Sequence, residues 1–353
     1  MSDLPEIVNR VKACRVARGW SQDELARRSG ISRAGVSAIE IQRLVPSTAA
    51  ALALAAALDR RVEELFLLQE PVNEEEDWAW PPTTDPCRFW RARVGRRDLR
   101  FPVEVSPLGM IPHDGFADGQ HLRLQGSQRA IETLVLACCD PAAGLLARAL
   151  ESASGYRLLV LPRSSGQALD LLKRRMIHVA GLHLAKADDP QGNAVAIREQ
   201  LGPGYQLLRL ARWQEGVAVA PGAAVRSLRE ALKAKLRWVG REPGSGARDC
   251  LDELRAGHPA PRKIAYDHRS VAAAIRSGWA DAGVCLRLTG VEAGLSFFAV
   301  REEAYDLAYP VEWADDPRIR ALVEVVRSDD YRRIVGELPG YDTSAAGELQ
   351  PVD

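Results

Sequence analysis

From Ile131 to Asp353, short apolar runs alternate with helical stretches, and this alternation constrains the fold more than any other feature of the 353-residue chain. The runs are ETLVLACCD, YRLLVLP, HVAGLHL, LRWVGRE, KIAYD, DAGVC, LSFFAV and AYDLAYP. Apolar strands separated by helices predict βα units around a largely parallel sheet. Residues 1–70 are different: they are rich in alanine, leucine and arginine, with helical periodicity throughout. Between the two, residues 71–90 read PVNEEEDWAWPPTTDPCRFW, and Pro81-Pro82 cannot continue a helix. Residues 88–126 carry short alternating segments, and the corner Arg93–Leu99 predicts a hairpin. The expected division is an all-α domain over 1–70, a linker and small β-segment over 71–130, and an α/β domain over 131–353.

The balance of 47 Lys+Arg against 47 Asp+Glu excludes a uniformly basic nucleic-acid coat protein, though not a local basic patch. The six cysteines show no regular spacing and no C-x-x-C, so reduced thiols in a cytoplasmic protein are expected. The longest apolar run, Ala49–Leu58, has ten residues, against about 20 needed for a membrane span.

In the N-terminal part a helix is expected from about Pro5 to Arg18, with Ile7, Val8, Val11, Cys14 and Val16 as its core stripe and Gly19 ending it. Ser21 with Glu24 forms a capping-box pattern for a second helix, Gln22–Arg28. Gly30 supplies a tight turn, and Ser32 caps a third helix running to about Ile41. A fourth follows from about Thr48 to Leu58, and VEELF packs Leu65 and Phe66 back. Two short helices joined by a glycine turn make a helix-turn-helix. The string WSQDELARRSGISRAGVSAIE, followed by PSTAAALALAAALDRRVEELF, resembles the Xre/Cro-type repressor family over about 65 residues. The resemblance implies that the third helix enters the DNA major groove, with Ser32, Arg33, Ala34 and Ser37 facing bases and Gln22 facing a phosphate. Arg33 is the candidate for guanine readout and Arg43 for a phosphate contact. Eight basic residues against five acidic ones over residues 1–43, a net of +3, agree with this. Ile41 after Glu40 departs from the family pattern at the end of the recognition helix.

In the C-terminal part, ligands are expected at the carboxyl ends of strands, beside helix N-termini. Four places qualify. The first is Cys139-Asp140, where Asp140 can cap the next helix. The second is Arg163-Ser164-Ser165-Gly166, two hydroxyls and a glycine at a helix start. The third is Gly244-Ser245-Gly246 with Arg248, a glycine nest that lacks the G-K-[ST] of a nucleotide-binding loop. The fourth is Tyr266-Asp267-His268 and the stretch leading to Asp281, read as a cap or latch. His178 joins these as a strand-end residue. His178, His183, His258 and His268 form no recognisable metal motif, so no metal is expected.

PGSGAR, the helix leading into SGWADAGVC and the closing AYDLAYP resemble, in that order, the periplasmic-binding-protein superfamily over about 220 residues, and HVAGLHL is similar to its molybdate-binding-like subgroup. Within it they resemble the cytoplasmic molybdate-binding-like domains fused to helix-turn-helix regulators. The resemblance implies two α/β lobes joined by crossovers, a ligand between them and hinge closure around it. The expectation is therefore a one-component transcriptional regulator, not an enzyme. It would act as a homodimer on double-stranded DNA and sense a small anion, molybdate, tungstate or a molybdopterin-related compound, with no other cofactor. Two alternatives stand beside it: an enzyme using Ser164, Cys139 or His178 behind a DNA-binding domain, and a regulator sensing an unrelated small metabolite. A scaffold or antitoxin-like protein with a degenerate pocket is a third class, against which the glycine nest and paired serines argue.

Overall fold

The structure is a computed structural model that describes residues 7–68, 77–104, 111–119, 121–124, 130–186, 189 and 191–353. Pro5 and the expected linker residues 71–76 lie outside the described residues. Strand β1 (Ile7–Asn9) precedes helices α1 (Val11–Ala17), α2 (Gln22–Ser29), α3 (Arg33–Glu40), α4 (Thr48–Ala57) and α5 (Val62–Leu65), and β2 (Phe66–Leu68) closes the unit. The first helix is shorter than expected because β1 pairs antiparallel with β2, Asn9 opposite Phe66. Branched Ile7 and Val8 favour a strand once an apolar edge is available. Val16, expected in the core, is 57% exposed. Val11, Cys14, Leu25, Val36, Ile39, Leu54, Leu58 and Leu65 form the small core instead. Ser21, Ser32 and Ser47 cap α2, α3 and α4 by accepting from the backbone N–H groups of Glu24, Gly35 and Ala50. The expected box at Ser21 is half formed, because the Glu24 carboxylate turns to Arg27 and Arg28, each at 2.6 Å.

Five strands follow: β3 (Asp77–Trp78), β4 (Cys87–Val94), β5 (Arg97–Pro102), β6 (Gly115–Asp118) and β7 (His121–Leu124), in sheet order β3-β5-β4-β6-β7. The β4–β5 corner is the hairpin expected at Arg93–Leu99, with Val94 opposite Arg97 and Gly95 at φ +61°. Trp90, Leu99 and Phe101 of this sheet share one apolar core with Val135, Leu159 and Leu161 of the strands beyond. A buried ion pair crosses the same contact: Arg157 donates to Asp114 Oδ1 at 2.7 Å, and Asp114 Oδ2 accepts from the Arg91 N–H at 2.7 Å.

The rest of the chain runs β8 (Thr133–Cys138), α6 (Ala143–Ser154), β9 (Arg157–Pro162), α7 (Ser165–Lys173), β10 (Val179–Lys186), α8 (Gly192–Leu201), β11 (Tyr205–Val219), α9 (Leu228–Lys233), β12 (Trp238–Arg241), α10 (Gly246–Leu254), β13 (Lys263–Ala265), α11 (His268–Arg276), β14 (Ala282–Leu286), α12 (Arg287–Glu292), β15 (Ser296–Pro310), α13 (Pro317–Arg327), α14 (Asp329–Gly336), β16 (Tyr341–Asp342) and β17 (Leu349–Val352). The main sheet has the order β13-β12-β14-β11-β15-β10-β8-β9, with β16 and β17 also on β11. Parallel pairing joins β8, β9 and β10 in a first lobe, and β12, β13 and β14 in a second. The two lobes are connected by β11 and β15, fifteen residues each and antiparallel, which run through both. The pairing register shifts at Arg209/Ala211 and Glu215/Gly216. At the second shift a Cβ on Gly216 would lie 2.2 Å from the Phe298 carbonyl oxygen, so only glycine lets the strands approach there. No helix among the described residues is long and apolar enough to cross a membrane.

The Arg157–Asp114 pair yields a direct check. Arg157→Ala leaves a buried carboxylate without its partner and is expected to cost about 3–5 kcal/mol. Urea unfolding should show this loss, with a smaller one in the Arg157→Ala/Asp114→Ala double variant.

Candidate functional site

On the helix-turn-helix, the side chains expected to read DNA lie at the surface along the start of α3. Ser32, Arg33 and Ala34 are exposed and Ser37 is half-buried. Arg33 reaches Asp23 at 3.5 Å across open solvent, a contact too weak to hold it. Ser32 spends its hydroxyl on the cap of α3. Gln22 is tied inward: its Nε2 donates to Glu40 at 2.8 Å, and Arg15 grips the same carboxylate at 2.6 and 3.0 Å. This fixes the start of α2 against the end of α3. Arg43 is exposed beyond the helix, next to Ile41, Leu44 and Val45, which are exposed as well.

In the α/β part, the carboxyl ends of β8, β9, β12 and β13 lead into the N-termini of α6, α7, α10 and α11. The two lobes meet there. The Gly166 N–H of α7 donates to the Gly244 carbonyl at 3.3 Å. A Cβ on Gly246 would lie 2.8 Å from both Nδ1 and the carbonyl oxygen of His183, so α10 packs on β10 with no room for a side chain. The serines are present but occupied. Ser164 caps α7 in a box with Gln167, and Ser165 Oγ accepts from the His183 N–H at 3.2 Å. Ser245 Oγ donates to the Glu242 carbonyl at 2.9 Å and accepts from the Arg248 N–H at 3.3 Å.

The centre of the cleft is a buried polar chamber. Cys139 Sγ lies 3.0 Å from His183 Nε2 and 3.8 Å from His268 Nε2. His183 Nδ1 donates to Glu303 at 2.9 Å, and the Trp213 indole N–H donates to the same oxygen at 3.1 Å. Arg301 bridges Glu303 and Glu215 at 2.6 and 3.0 Å. Arg241, 1% exposed, grips the Glu242 carboxylate at 2.9 and 3.0 Å and reaches the Tyr266 carbonyl at 3.3 Å. Its Nη1 and the His268 Nδ1 are buried with no hydrogen-bond partner among the described residues. Unpaired buried donors are costly and point to a missing partner.

Titration follows these contacts. Burial lowers His183, but Cys139 and Glu303 outweigh it and raise it well above the usual histidine range. Burial, with the Arg241 and His183 charges, keeps His268 neutral, well below that range. Burial and the Glu303 charge push Glu215 up to about 8. Burial raises Asp140 to about 6, although it accepts from the Tyr341 hydroxyl and the Ala142 N–H; it is not the expected cap, because α6 starts at Ala143 with Ala142 as N-cap and no side-chain cap bond.

Several expected ligand residues stand elsewhere. His178 precedes β10 and so lies at its amino end, away from the cleft. There its Nδ1 accepts from the Val135 N–H and its Nε2 donates to the Arg93 carbonyl. Asp281 precedes β14 and pairs with Arg237 on the surface at 2.6 Å. Both had the right residue type on the wrong end of the sheet. Tyr266 is 74% exposed and lends only its carbonyl to Arg241. Arg248 braces the glycine loop through Asp252 and the Arg241 carbonyl, and Arg163 turns away to Glu104. Of the residues an enzyme reading would use, Ser164 and Cys139 stand at the cleft and His178 does not; the histidine beside Cys139 is His183. Sequence reasoning missed Arg241, Glu303, Trp213 and the roles of His183 and His268. Arg241, His183 and His268 do stand inside the quoted VGREPGSGAR, HVAGLHL and AYDH strings.

Burial lowers His178 well below the usual histidine value. A folded value below the unfolded one means stability is complete above the unfolded value of about 6.5 and is lost as pH falls below it. The denaturation midpoint should therefore drop on acidification, with a shallower slope in His178→Gln. The affinity of the cleft for its ligand should be unchanged in that variant.

Two family models match. Residues 147–327, just over half the chain, match the PBP superfamily domain, and residues 11–65 match a helix-turn-helix family. A relative, the uncharacterized protein YvgK of Bacillus subtilis, is 28% identical over 220 residues, covering 60% of this chain and 71% of its own. The HTH-type transcriptional regulator YgzD of the same species is 39% identical over 62 residues, 18% of this chain and 94% of its own. Among solved structures, a phosphate ABC transporter substrate-binding protein from Clostridium perfringens with bound phosphate aligns at 12% identity and TM-score 0.48, over 59% of this chain and 99% of that one. With its two lobes on shared crossover strands and the family model spanning them, the chain belongs to the PBP superfamily, carried here behind an N-terminal helix-turn-helix.

Proposed function

We propose that this chain is a one-component transcriptional regulator whose helix-turn-helix binds double-stranded DNA and whose cleft binds a small anion. The observation that carries the ligand half is Arg241 Nη1, a buried guanidinium donor without a hydrogen-bond partner among the described residues, in a chamber walled by helix N-termini. First-turn amides have no partners within their own helix and carry the positive end of its dipole. A small oxyanion between α7, α10 and α11 would take these amides and the free Arg241 donor together. The resemblance of the loops to molybdate-binding-like domains makes molybdate or tungstate the first ligands to try. On this reading the chamber serves binding rather than turnover: Ser164 and Ser245 are helix caps, and Ser165 Oγ accepts from the His183 N–H.

The DNA-reading unit is held by the first lobe. Arg10 donates to the Ser154 carbonyl at the end of α6 and lies 3.0 Å over the Tyr156 ring. Arg60 pairs with Glu324 at 3.2 Å. Cys139 and Asp140, at the start of α6, belong to the chamber. One helix thus joins the cleft to the reading head. An anion that binds the closed cleft more tightly than the open one shifts that equilibrium by its differential affinity. In a homodimer, two heads must match half-sites about 34 Å apart, so a change in lobe geometry changes affinity for the operator.

Calorimetric titration of the anion-free chain with molybdate, tungstate, phosphate and sulfate tests the ligand. One of them should bind, and Arg241→Gln should weaken it about 10–100-fold, as expected for a lost charged hydrogen bond. Heat from none of the four removes the anion reading. The DNA half is tested with a site selected from a random-sequence pool. Arg33→Ala should weaken binding about 5–100-fold and relax preference at one base pair. Arg10→Ala should keep the affinity of the anion-free protein and lose its response to the anion.

A further inference from the structure

We infer that Cys139, His183 and His268 form a binding site for a thiophilic d10 metal ion, Zn(II) or Cu(I), that clamps the two lobes together. The three donor atoms, Cys139 Sγ and one ring nitrogen from each histidine, lie within 4.8 Å of one another, and all three residues are buried. Sulfur at about 2.3 Å and imidazole nitrogen at about 2.05 Å from a tetrahedral ion are about 3.6 Å apart. The observed sulfur–nitrogen separations of 3.0 and 3.8 Å straddle that value, so small side-chain rotations admit an ion. One thiolate with two imidazoles is the donor set that soft and borderline ions prefer over magnesium or calcium.

Two further observations support a metal over a bare hydrogen-bonded cluster. Glu303 accepts from His183 Nδ1 at 2.9 Å, which leaves Nε2, the nitrogen facing Cys139, as the one to bind an ion. A carboxylate behind a histidine in this way is the usual support of a metal ligand. His268 is fully buried with Nδ1 unpartnered among the described residues, and its Nε2 faces Sγ at 3.8 Å, a weak contact for a ring so enclosed. A metal bond to Nε2 would replace that long sulfur contact with a strong one.

The ligands come from both halves of the molecule. Cys139 follows β8 and His183 lies on β10 of the first lobe, while His268 opens α11 of the second. Binding therefore requires the closed arrangement. On binding, the proton held between Cys139 Sγ and His183 Nε2 leaves to solvent, and metal–sulfur and metal–nitrogen bonds form with no change of oxidation state. Three protein ligands leave a fourth position on Zn(II) open to water or an anion, whereas Cu(I) is complete with three.

The test uses the full chain, reduced and freed of metal by chelator dialysis. Co(II) serves as the spectroscopic probe for the Zn(II) arm, and Cu(I) competition against a colorimetric chelator serves for the other. The expected result is one ion per chain, with a thiolate-to-cobalt charge-transfer band in the near ultraviolet. That band should vanish in Cys139→Ser, and binding should fall at least 100-fold in His268→Gln. Glu303→Gln should keep the band and lose about 10–100-fold in affinity. His178→Gln should behave as the wild type. Circular dichroism of each variant separates loss of a ligand from loss of fold. The inference is overturned if the wild type binds neither ion. It is equally overturned if folded Cys139→Ser and His268→Gln bind as tightly as the wild type.

Discussion

The antiparallel pairing of β11 with β15 is the constraint on which the rest depends. Each strand enters one lobe and leaves through the other, so both lobes are built on the same pair of backbones. Neither lobe's parallel strands touch those of the other in the sheet order. The cleft thus exists because the main sheet is two parallel halves on a shared antiparallel spine. The spine is thinned where the register shifts at Gly216, with space for a hydrogen atom and no more. A backbone contact this close pins β11 against β15 where β14 also joins the sheet.

Placed on that spine, a set of charged groups becomes a chamber. Glu303 lies on β15, Trp213 and Glu215 lie on β11, and Arg301 ties the two carboxylates from β15. The crossover strands therefore contribute the floor, while the helix N-termini contribute the walls. Burying this many ionisable groups is costly unless each is paired. Most are, through Arg301, Glu303 and Glu242. Among the described residues of the chamber, Arg241 Nη1 and His268 Nδ1 have no hydrogen-bond partner, and neither do the Glu215 oxygens, which face the Arg301 charge at 3.0 Å. That shortfall is what makes the chamber a candidate site.

Much of the fold was legible in the sequence. Serine caps, Gly30 and the apolar spacing gave the helices of the reading head, and the alternation beyond Ile131 gave the βα units. Motif order gave the two lobes. The site was legible only in part. Loops rich in glycine and serine stand at helix starts as expected, yet the Ser164 and Ser245 hydroxyls proved to be helix caps, because a short side chain at that position satisfies the backbone first. His178 and Asp281 were misplaced because a strand's direction decides which end faces the ligand, and a run of eight apolar residues does not show where the strand begins. Glu303 and Trp213 were invisible for a different reason. They sit in the middle of long strands that look like ordinary core until the crossover topology turns them inward.

The fastening of the reading head to α6 and α13 has a mechanical consequence. Arg10 and Arg60 tie the head to α6 and α13, so under the proposed closure the second lobe would be the half that swings. A signal from the chamber would then reach the operator by altering how two such blocks stand beside each other, with the recognition helix held rigid on its own lobe.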